Sequence, residues 1–205
     1  HRLESRPGRR ADVCCASPLR ADEPSPQPMS ASPQPIALPV VLVLMGVSGS
    51  GKTTIGELLA RRLRWPYEEG DALHPPANVA KMHAGHPLDD ADRAPWLARV
   101  ADWVDARLAA GQCGVITCSA LKHAYRDLIA RHGHGVEFIY LHGSPELIAS
   151  RLAGRTGHFM PASLLDAQFA TLEEPAADEP VVRVEIGAAP EVIVANIIDV
   201  LGLPA

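Results

Sequence analysis

The stretch from residue 40 to residue 59 most constrains what this chain can fold into. An unbroken apolar run at residues 40–45 is followed at once by the glycine-rich segment GVSGSGKT at residues 46–53. From Ile55 onward, apolar residues recur at helical spacing. This order predicts a buried strand, a tight loop and a helix, and the loop has the complete G-x-x-x-x-G-K-[ST] spacing. The stretch therefore predicts a phosphate-binding loop within an α/β fold.

The residue types in this loop predict the ligand that it holds. Its glycines let successive backbone N–H groups face a polyphosphate, and the following helix adds the positive end of its dipole. Lys52 supplies a positive charge for the β- and γ-phosphates, and the Thr53 hydroxyl is placed to bind Mg²⁺. The expected cofactors are therefore ATP and Mg²⁺, with Thr53 as the metal ligand. The residues predicted to bind the nucleotide are Gly46, Val47, Ser48, Gly49, Ser50, Gly51, Lys52, Thr53 and Thr54.

The composition of the 205 residues fits this class of protein and argues against others. The chain is 47% hydrophobic and 21% charged, as expected of one globular α/β domain. Its net charge of −5 offers no general basic surface for nucleic acid. No apolar stretch reaches the roughly 18 residues that a membrane-spanning helix needs. The four cysteines form no C-x-x-C pair, a pattern typical of a reducing compartment, so we expect a cytoplasmic protein.

The first 38 residues differ from the rest of the chain. They are rich in Pro, Ser, Ala and Arg and lack apolar periodicity. We therefore predict a disordered tail at residues 1–38, followed by a nucleotide-binding domain at residues 39–205. The chain begins at His1 and Met29 lies shortly before the first strand, so residues 1–28 are expected to lie upstream of the natural start.

Strand and helix patterns alternate from residue 40 to the end of the chain. This alternation predicts an α/β fold, a parallel sheet of about five strands with helices on both faces. The loops after the strands meet at one carboxyl edge, where a second ligand is expected beside the phosphates. Residues 154–162 carry glycine and basic groups and predict a mobile loop. The strands are predicted at residues 40–45, 114–119, 136–141 and 182–186, with a short one ending near Asp71.

Three side chains are predicted to carry the chemistry at that edge: Lys52, Asp71 and Arg155. Asp71 follows a predicted strand, where a carboxylate can accept the proton of an attacking hydroxyl, although turn aspartates are also common. Arg151 and Arg155 lie four residues apart on one helix face. Folded over the phosphates, they would neutralise the charge of the transferred group, with Arg151 on the nucleotide.

Several cations flank the predicted edge loops and indicate an anionic second substrate, although each alone is more often a surface charge. No acidic residue follows the third strand, which leaves open whether Asp71 or only water joins Thr53 on Mg²⁺. No N-K-x-D segment is present, which argues against a guanine-nucleotide switch. The predicted substrate-binding residues are Asp71, His74, Lys81, Arg93, Lys122, Arg126 and His158.

Several segments resemble the gluconokinase family. The phosphate loop is shared with many proteins, whereas CSALKHAYRD at residues 118–127 and QFATLEEP at residues 168–175 are far more specific. The segments GDALHP at residues 70–75 and GHFM at residues 157–160 match as well. The resemblance implies a nucleoside-kinase-like fold with a closing lid and commonly a homodimer. It also implies transfer of the ATP γ-phosphate to the 6-hydroxyl of D-gluconate, with Mg²⁺, giving 6-phosphogluconate for the pentose phosphate route.

Two alternatives stay open at this point. One is a kinase with the same type of phosphate loop that acts on another small acceptor, such as shikimate or a nucleoside monophosphate. The other is a nucleotide-binding module without catalysis, which the presence of Lys52, Asp71 and Arg155 argues against. Neither nucleic acid nor a membrane is expected as a partner.

Overall fold

A single parallel sheet organises the protein. The computed structural model describes residues 36–154 and 162–204, and in these ranges five strands pair in the order β2-β3-β1-β4-β5. Every neighbouring pair is parallel, so the predicted parallel α/β sheet is confirmed. The strands are β1 (Val41–Met45), β2 (Tyr67–Glu68), β3 (Gly114–Thr117), β4 (Val136–His142) and β5 (Val181–Glu185).

Helices connect these strands at mostly the predicted places. Ser144 caps one of them as expected, because its side chain accepts a hydrogen bond from the Leu147 N–H at 3.2 Å. The chain also makes a short 3₁₀ turn at Gly70–Leu73, so Asp71 lies just beyond β2 and not at its end. The helices are α1 (Lys52–Leu63), α2 (Pro76–His83), α3 (Asp90–Ala109), α4 (His123–Ile129), α5 (Pro145–Ala153), α6 (Ala162–Thr171) and α7 (Pro190–Leu201).

Two helical segments differ from the sequence prediction. Helix α3 begins at Asp90, earlier than expected, because Asp89 and Asp92 form a reciprocal capping box. Helix α6 was not predicted at all. Leu164, Ala167 and Ala170 lie outside the face formed by Leu165 and Phe169, so its apolar residues are not confined to one face and the periodicity is weak.

The core lies on both faces of the sheet because side chains alternate along β1. Leu42 and Leu44 pack on one face in a cluster that includes residues of α1 and α7. Val41, Val43 and Met45 pack on the other face, in a cluster that includes residues of α3 and α4. Burial on both sides explains why β1 is apolar throughout, as expected of a central parallel strand.

The strand order places the phosphate loop at a crevice. From β1 the chain continues to β2 and β3 on one side of the sheet and to β4 and β5 on the other. Such a reversal opens a space outside the carboxyl ends of the strands, where α/β proteins bind ligands. Residues 1–35 of the predicted tail and residues 155–161 of the predicted mobile loop, which include Arg155 and His158, lie outside the described residues. Within the described ranges, no helix is both long enough and apolar enough to cross a membrane.

Candidate active site

The phosphate loop follows β1 and curls tightly beneath the start of α1. Gly46 has a φ of +136°, and a Cβ atom there would lie 2.6 Å from the Leu141 carbonyl oxygen, so only glycine fits. Lys52 Nζ folds back and donates to the carbonyl oxygens of Gly46 at 3.0 Å and Val47 at 3.1 Å. Ser50 Oγ is buried and has no hydrogen-bond partner among the described residues. An unsatisfied polar group is costly unless a ligand reaches it, and these features fit a polyphosphate.

A large cleft of about 660 Å³ opens beside the loop. Four of the predicted residues with reactive or charged side chains line it together, namely Lys52, Asp71, His74 and Arg93. The cleft therefore joins one end of the phosphate loop to a carboxylate, an imidazole and a guanidinium. The other described lining residues are Ser48, Met82, His83, Gly85, His86, Pro87, Leu88, Trp96, Ser119, Leu164, Ala167, Gln168 and Thr171.

Two neighbouring elements hold the turn that carries Asp71. The Gly70 N–H donates to Thr117 Oγ1 of β3 at 3.0 Å, and the Gly70 carbonyl oxygen accepts from Trp96 Nε1 of α3 at 2.7 Å. The turn also lies so close to β3 that a Cβ atom on Gly70 would be 1.8 Å from the Thr117 carbonyl oxygen. Glycine at this position therefore lets Asp71 reach the cleft.

His74 is held flat against the same tryptophan. Its ring stacks on Trp96 with a centroid separation of 4.1 Å and an interplanar angle of 15°. Burial lowers the pKa of His74, and the charge of Arg93 lowers it further, against the opposing effect of Asp71. Since the ordinary pKa of histidine is about 6.5, His74 is neutral near pH 7. A neutral imidazole can exchange hydrogen bonds with a hydroxyl group.

Glu69 is a candidate that sequence reasoning missed. It accepts hydrogen bonds from Thr117 Oγ1 and, at 2.8 Å, from Tyr67 OH. Burial opposes its charge, but hydrogen bonds from Thr117, Tyr67 and Thr53 and the charge of Lys52 prevail and lower its pKa. The chain therefore places an ionised carboxylate beside the Thr53 hydroxyl, from the end of β2. Its sequence signal was weak, because Glu69 adjoins another glutamate in a short polar segment.

A smaller cleft of about 190 Å³ lies on the other side of the phosphate loop. The predicted nucleotide residue Arg151 lines it, and Arg151 Nη2 also donates to the Ile186 carbonyl oxygen. The loop and the start of α1 therefore separate two clefts. The smaller cleft is lined in part by apolar residues, and the large cleft contains most of the charged side chains. The other described lining residues are Gly49, Gly51, Thr54, Ile55, Ala188, Pro190 and Ile193.

Three predicted substrate ligands do not appear among the described residues that line the large cleft. Lys81 pairs with Asp92, and Lys122 Nζ lies 2.8 Å from Asp90 Oδ1. Arg126 is buried, pairs with Glu179 through two nitrogens, and donates to the Ala120 and Glu173 carbonyl oxygens. These contacts indicate a structural role for Arg126, because they connect α4 to the segment before β5. The partners of these three cations lie 11, 32 and 53 positions away in the sequence. Sequence position alone therefore could not show that these cations form ion pairs whereas Arg93 lines the cleft.

Known proteins match this chain over most of its length. A family model described as AAA domain matches residues 41–175. The chain is 54% identical to a gluconokinase from Gluconobacter oxydans over 160 residues, which are 78% of this chain and 90% of that protein. It is 44% identical to the thermoresistant gluconokinase of Escherichia coli over 162 residues, 78% of this chain and 93% of that one. A crystal structure of a gluconokinase from Sinorhizobium meliloti is 44% identical, with a TM-score of 0.71, covering 80% of this chain and 90% of the other.

Proposed function

The chain belongs to the gluconokinase family, and on this premise we propose that it transfers the γ-phosphate of ATP to the 6-hydroxyl of D-gluconate. The products are 6-phosphogluconate and ADP. The observation that carries the proposal is the cleft in which Lys52 of the phosphate loop and Asp71 lie together with Arg93. A homodimer and a cytoplasmic location, which the resemblance and the composition imply, are further parts of this proposal.

The two clefts divide the substrates between them. The nucleotide base and sugar occupy the smaller cleft beside Arg151, and the triphosphate follows the loop towards the larger one. The γ-phosphate then lies at the entrance of the large cleft, near Lys52. Lys52 neutralises charge on the transferred group, and the backbone N–H groups of the loop hold the remaining phosphates. Arg155 and His158 stay predicted members of the site.

Gluconate fits the groups that line the large cleft. Arg93 is the cation for its carboxylate, and neutral His74 exchanges hydrogen bonds with its hydroxyls. Asp71 accepts the proton of the attacking 6-hydroxyl as the bond to phosphorus forms. A hydrogen bond to a charged group contributes roughly 1.5–3 kcal/mol. Two such bonds are therefore sufficient to select a sugar acid over the neutral sugar.

The residues beside the loop also fit Mg²⁺. Thr53 is the predicted ligand, and Glu69 adds the carboxylate that is missing after β3. Glu69 is held by Thr117 and Tyr67, and it would help to hold the metal beside Thr53. When bound, the metal withdraws charge from the phosphate oxygens. Hydrogen bonds from Thr117 and Tyr67 lower the pKa of Glu69 and keep that carboxylate ionised.

A substrate panel tests the proposal. ADP release is measured with ATP, Mg²⁺ and, separately, gluconate, glucose, shikimate and AMP, with Lys52→Ala as the inactive control. We expect turnover with gluconate alone and its loss in the control. Turnover with shikimate or AMP in place of gluconate would show a different kinase. Tight ATP binding without stimulation by any acceptor would show a non-catalytic module.

A further inference from the structure

A glutamine far along the chain holds the phosphate loop by two hydrogen bonds. Gln168 Oε1 accepts from the Ser48 backbone N–H at 2.7 Å, and Gln168 Nε2 donates to Ser48 Oγ at 3.1 Å. The two residues are 120 positions apart. The backbone N–H can only donate, so the orientation of the amide follows from chemistry.

Ser48 lies at the end of the loop where transfer would occur. It lines the large cleft with Lys52 and Asp71. By contrast, the described loop residues Gly49 and Gly51 line the smaller cleft. In the direction proposed above, Ser48 is therefore beside the γ-phosphate and remote from the nucleotide base.

Helix α6, which carries Gln168, is firmly placed. Leu165 is buried in the core cluster that includes residues of α1 and α7, here called the main cluster, and Phe169 packs against that cluster. Just beyond the helix, the Glu173 N–H donates to the Leu121 carbonyl oxygen at 2.8 Å. Helix α6 also forms a wall of the large cleft through Ala167 and Thr171. Gln168 therefore lies on a helix that lines the large cleft, where the acceptor is proposed to bind, and its side chain contacts the phosphate loop.

We propose that Gln168 is a positioning residue for phosphoryl transfer. It fixes the Ser48 peptide, at the γ-phosphate end of the loop, relative to helix α6, which lines the proposed acceptor site. The inference rests on the proposed function only for the identity of the acceptor. A small misplacement of reacting groups lowers rates steeply, whereas the bulk of the bound nucleotide is held elsewhere on the loop. Loss of the Gln168 side chain is therefore expected to lower turnover and to weaken ATP binding, while ADP binding stays unchanged.

Two substitutions with side chains of similar size separate the contributions of the two hydrogen bonds of the Gln168 amide. Gln168→Met removes both hydrogen bonds. Gln168→Glu keeps an acceptor for the Ser48 N–H but loses the donor and adds a negative charge beside the γ-phosphate. We expect Gln168→Met to lower kcat by about 10–100-fold, with KM for gluconate and Kd for ADP close to the unmodified values. Gln168→Glu is expected to weaken a non-hydrolysable ATP analogue more than it weakens ADP.

Two further variants complete the design. Asp166→Asn changes an exposed residue of the same helix and is expected to leave every constant unchanged. Ser48→Ala removes only the hydroxyl, so Gln168→Met should cost less in that background than alone, which a double-mutant cycle measures. The melting temperature of each variant is recorded alongside its kinetic constants.

Several outcomes would overturn the inference. These are an unmodified kcat in Gln168→Met, strict additivity with Ser48→Ala, or equal losses of ATP and ADP binding with a lower melting temperature. If the unmodified protein does not phosphorylate gluconate, the proposed function fails by itself. The inference is then decided by nucleotide binding, because weaker binding of the ATP analogue with unchanged ADP binding in Gln168→Met still supports it.

Discussion

Two carboxylates, only two positions apart, have different surroundings. Glu69 is half-buried and receives hydrogen bonds from Tyr67 and Thr117. Asp71 is exposed on a short turn and lines the large cleft. A carboxylate surrounded by donors stays ionised and keeps its orientation, which suits a cation site. A carboxylate in an open cleft can meet a substrate hydroxyl, which suits proton transfer.

The first prediction at this scale concerns Asp71. Asp71→Asn keeps the size and removes the proton acceptor, so kcat should fall by about 10²–10⁴-fold. The affinity for ATP should stay similar, because the loop that binds it is unchanged. Steady-state kinetics and nucleotide titration measure the two quantities. A wild-type kcat in Asp71→Asn would remove this residue from the catalytic role.

The second prediction concerns Glu69 and Mg²⁺. Glu69→Gln removes the charge beside Thr53, so a higher Mg²⁺ concentration should be required for half-maximal activity. The neighbouring Glu68→Gln is the matched control, since Glu69 continues the extended backbone of β2 and side chains of adjacent extended residues point to opposite faces. Activity is measured against free Mg²⁺ at saturating ATP. An unchanged Mg²⁺ requirement in Glu69→Gln would exclude this residue from the metal site.

At the scale of elements, the site depends on close contacts between β2, β3 and α3. The turn after β2 is held by a β3 hydroxyl and an α3 indole, both bound to Gly70. Helix α4 is held in a similar way, by the ion pair between buried Arg126 and partly buried Glu179. Neither contact lies within one element. The Gly70 contacts couple the turn of Asp71 to β3 and α3, and the Arg126 pair couples α4 to the segment before β5.

The Gly70 contact gives a prediction about strand spacing. In Gly70→Ala, the added Cβ would lie 1.8 Å from the Thr117 carbonyl oxygen, so β2 and its turn must move. We expect lower stability and a loss of kcat through displacement of Asp71. Gly187→Ala is the control, because a Cβ there meets nothing within 4 Å. Thermal unfolding and kinetics measure both effects, and a Gly70→Ala enzyme with unmodified kcat would show that the turn tolerates displacement.

The Arg126 contact separates a structural role from the substrate-binding role that the sequence predicted. Arg126→Met leaves the partly buried Glu179 with only the Ala176 N–H and His123 as partners, which should lower the free energy of unfolding by about 3 kcal/mol, the lower end for a broken buried pair. Arg131→Met removes a surface pair with Asp102 and Asp105, and this should cost no more than about 1 kcal/mol. Urea denaturation measures both values. A large rise in the KM for gluconate at unchanged stability would instead favour substrate binding by Arg126.

At the scale of the whole molecule, the described contacts of the core begin near residue 36. The Ile36 N–H donates to the Leu201 carbonyl oxygen at 3.3 Å, and Ile36 packs against the main cluster. Val40 is fully enclosed in that cluster. The layers of helix, sheet and helix are therefore joined in part by Ile36, which lies near the end of the predicted tail, and by Val40, which follows it.

This gives a prediction about the first part of the chain. A protein that starts at Met29 should keep the melting temperature and the kcat of the full chain, because the described core contacts are retained. A protein that starts at Val41 loses Ile36 and Val40 and should melt at a lower temperature. Calorimetry and the ADP-release assay compare the three proteins. A clear loss of stability on removing residues 1–28 would show that these residues support the fold.

Local patterns in the sequence were sufficient for the phosphate loop, the capped start of α5 and the alternation of strands and helices. Each depends on backbone geometry over a few neighbouring residues, such as the glycine-rich curl at residues 46–51 or the cap at Ser144. The parallel sheet followed from the same alternation. Helix α6 escaped prediction because packing against the core, and not a local pattern, places it.

The tertiary structure alone decided which distant side chains meet. Gln168 reaches Ser48 across 120 positions, and Arg126 reaches Glu179 across 53. Such contacts depend on strand order and helix packing, which a linear pattern of residues does not encode locally. For the same reason, Arg93 and Arg126 looked alike in the sequence, yet the fold turned one towards the cleft and buried the other.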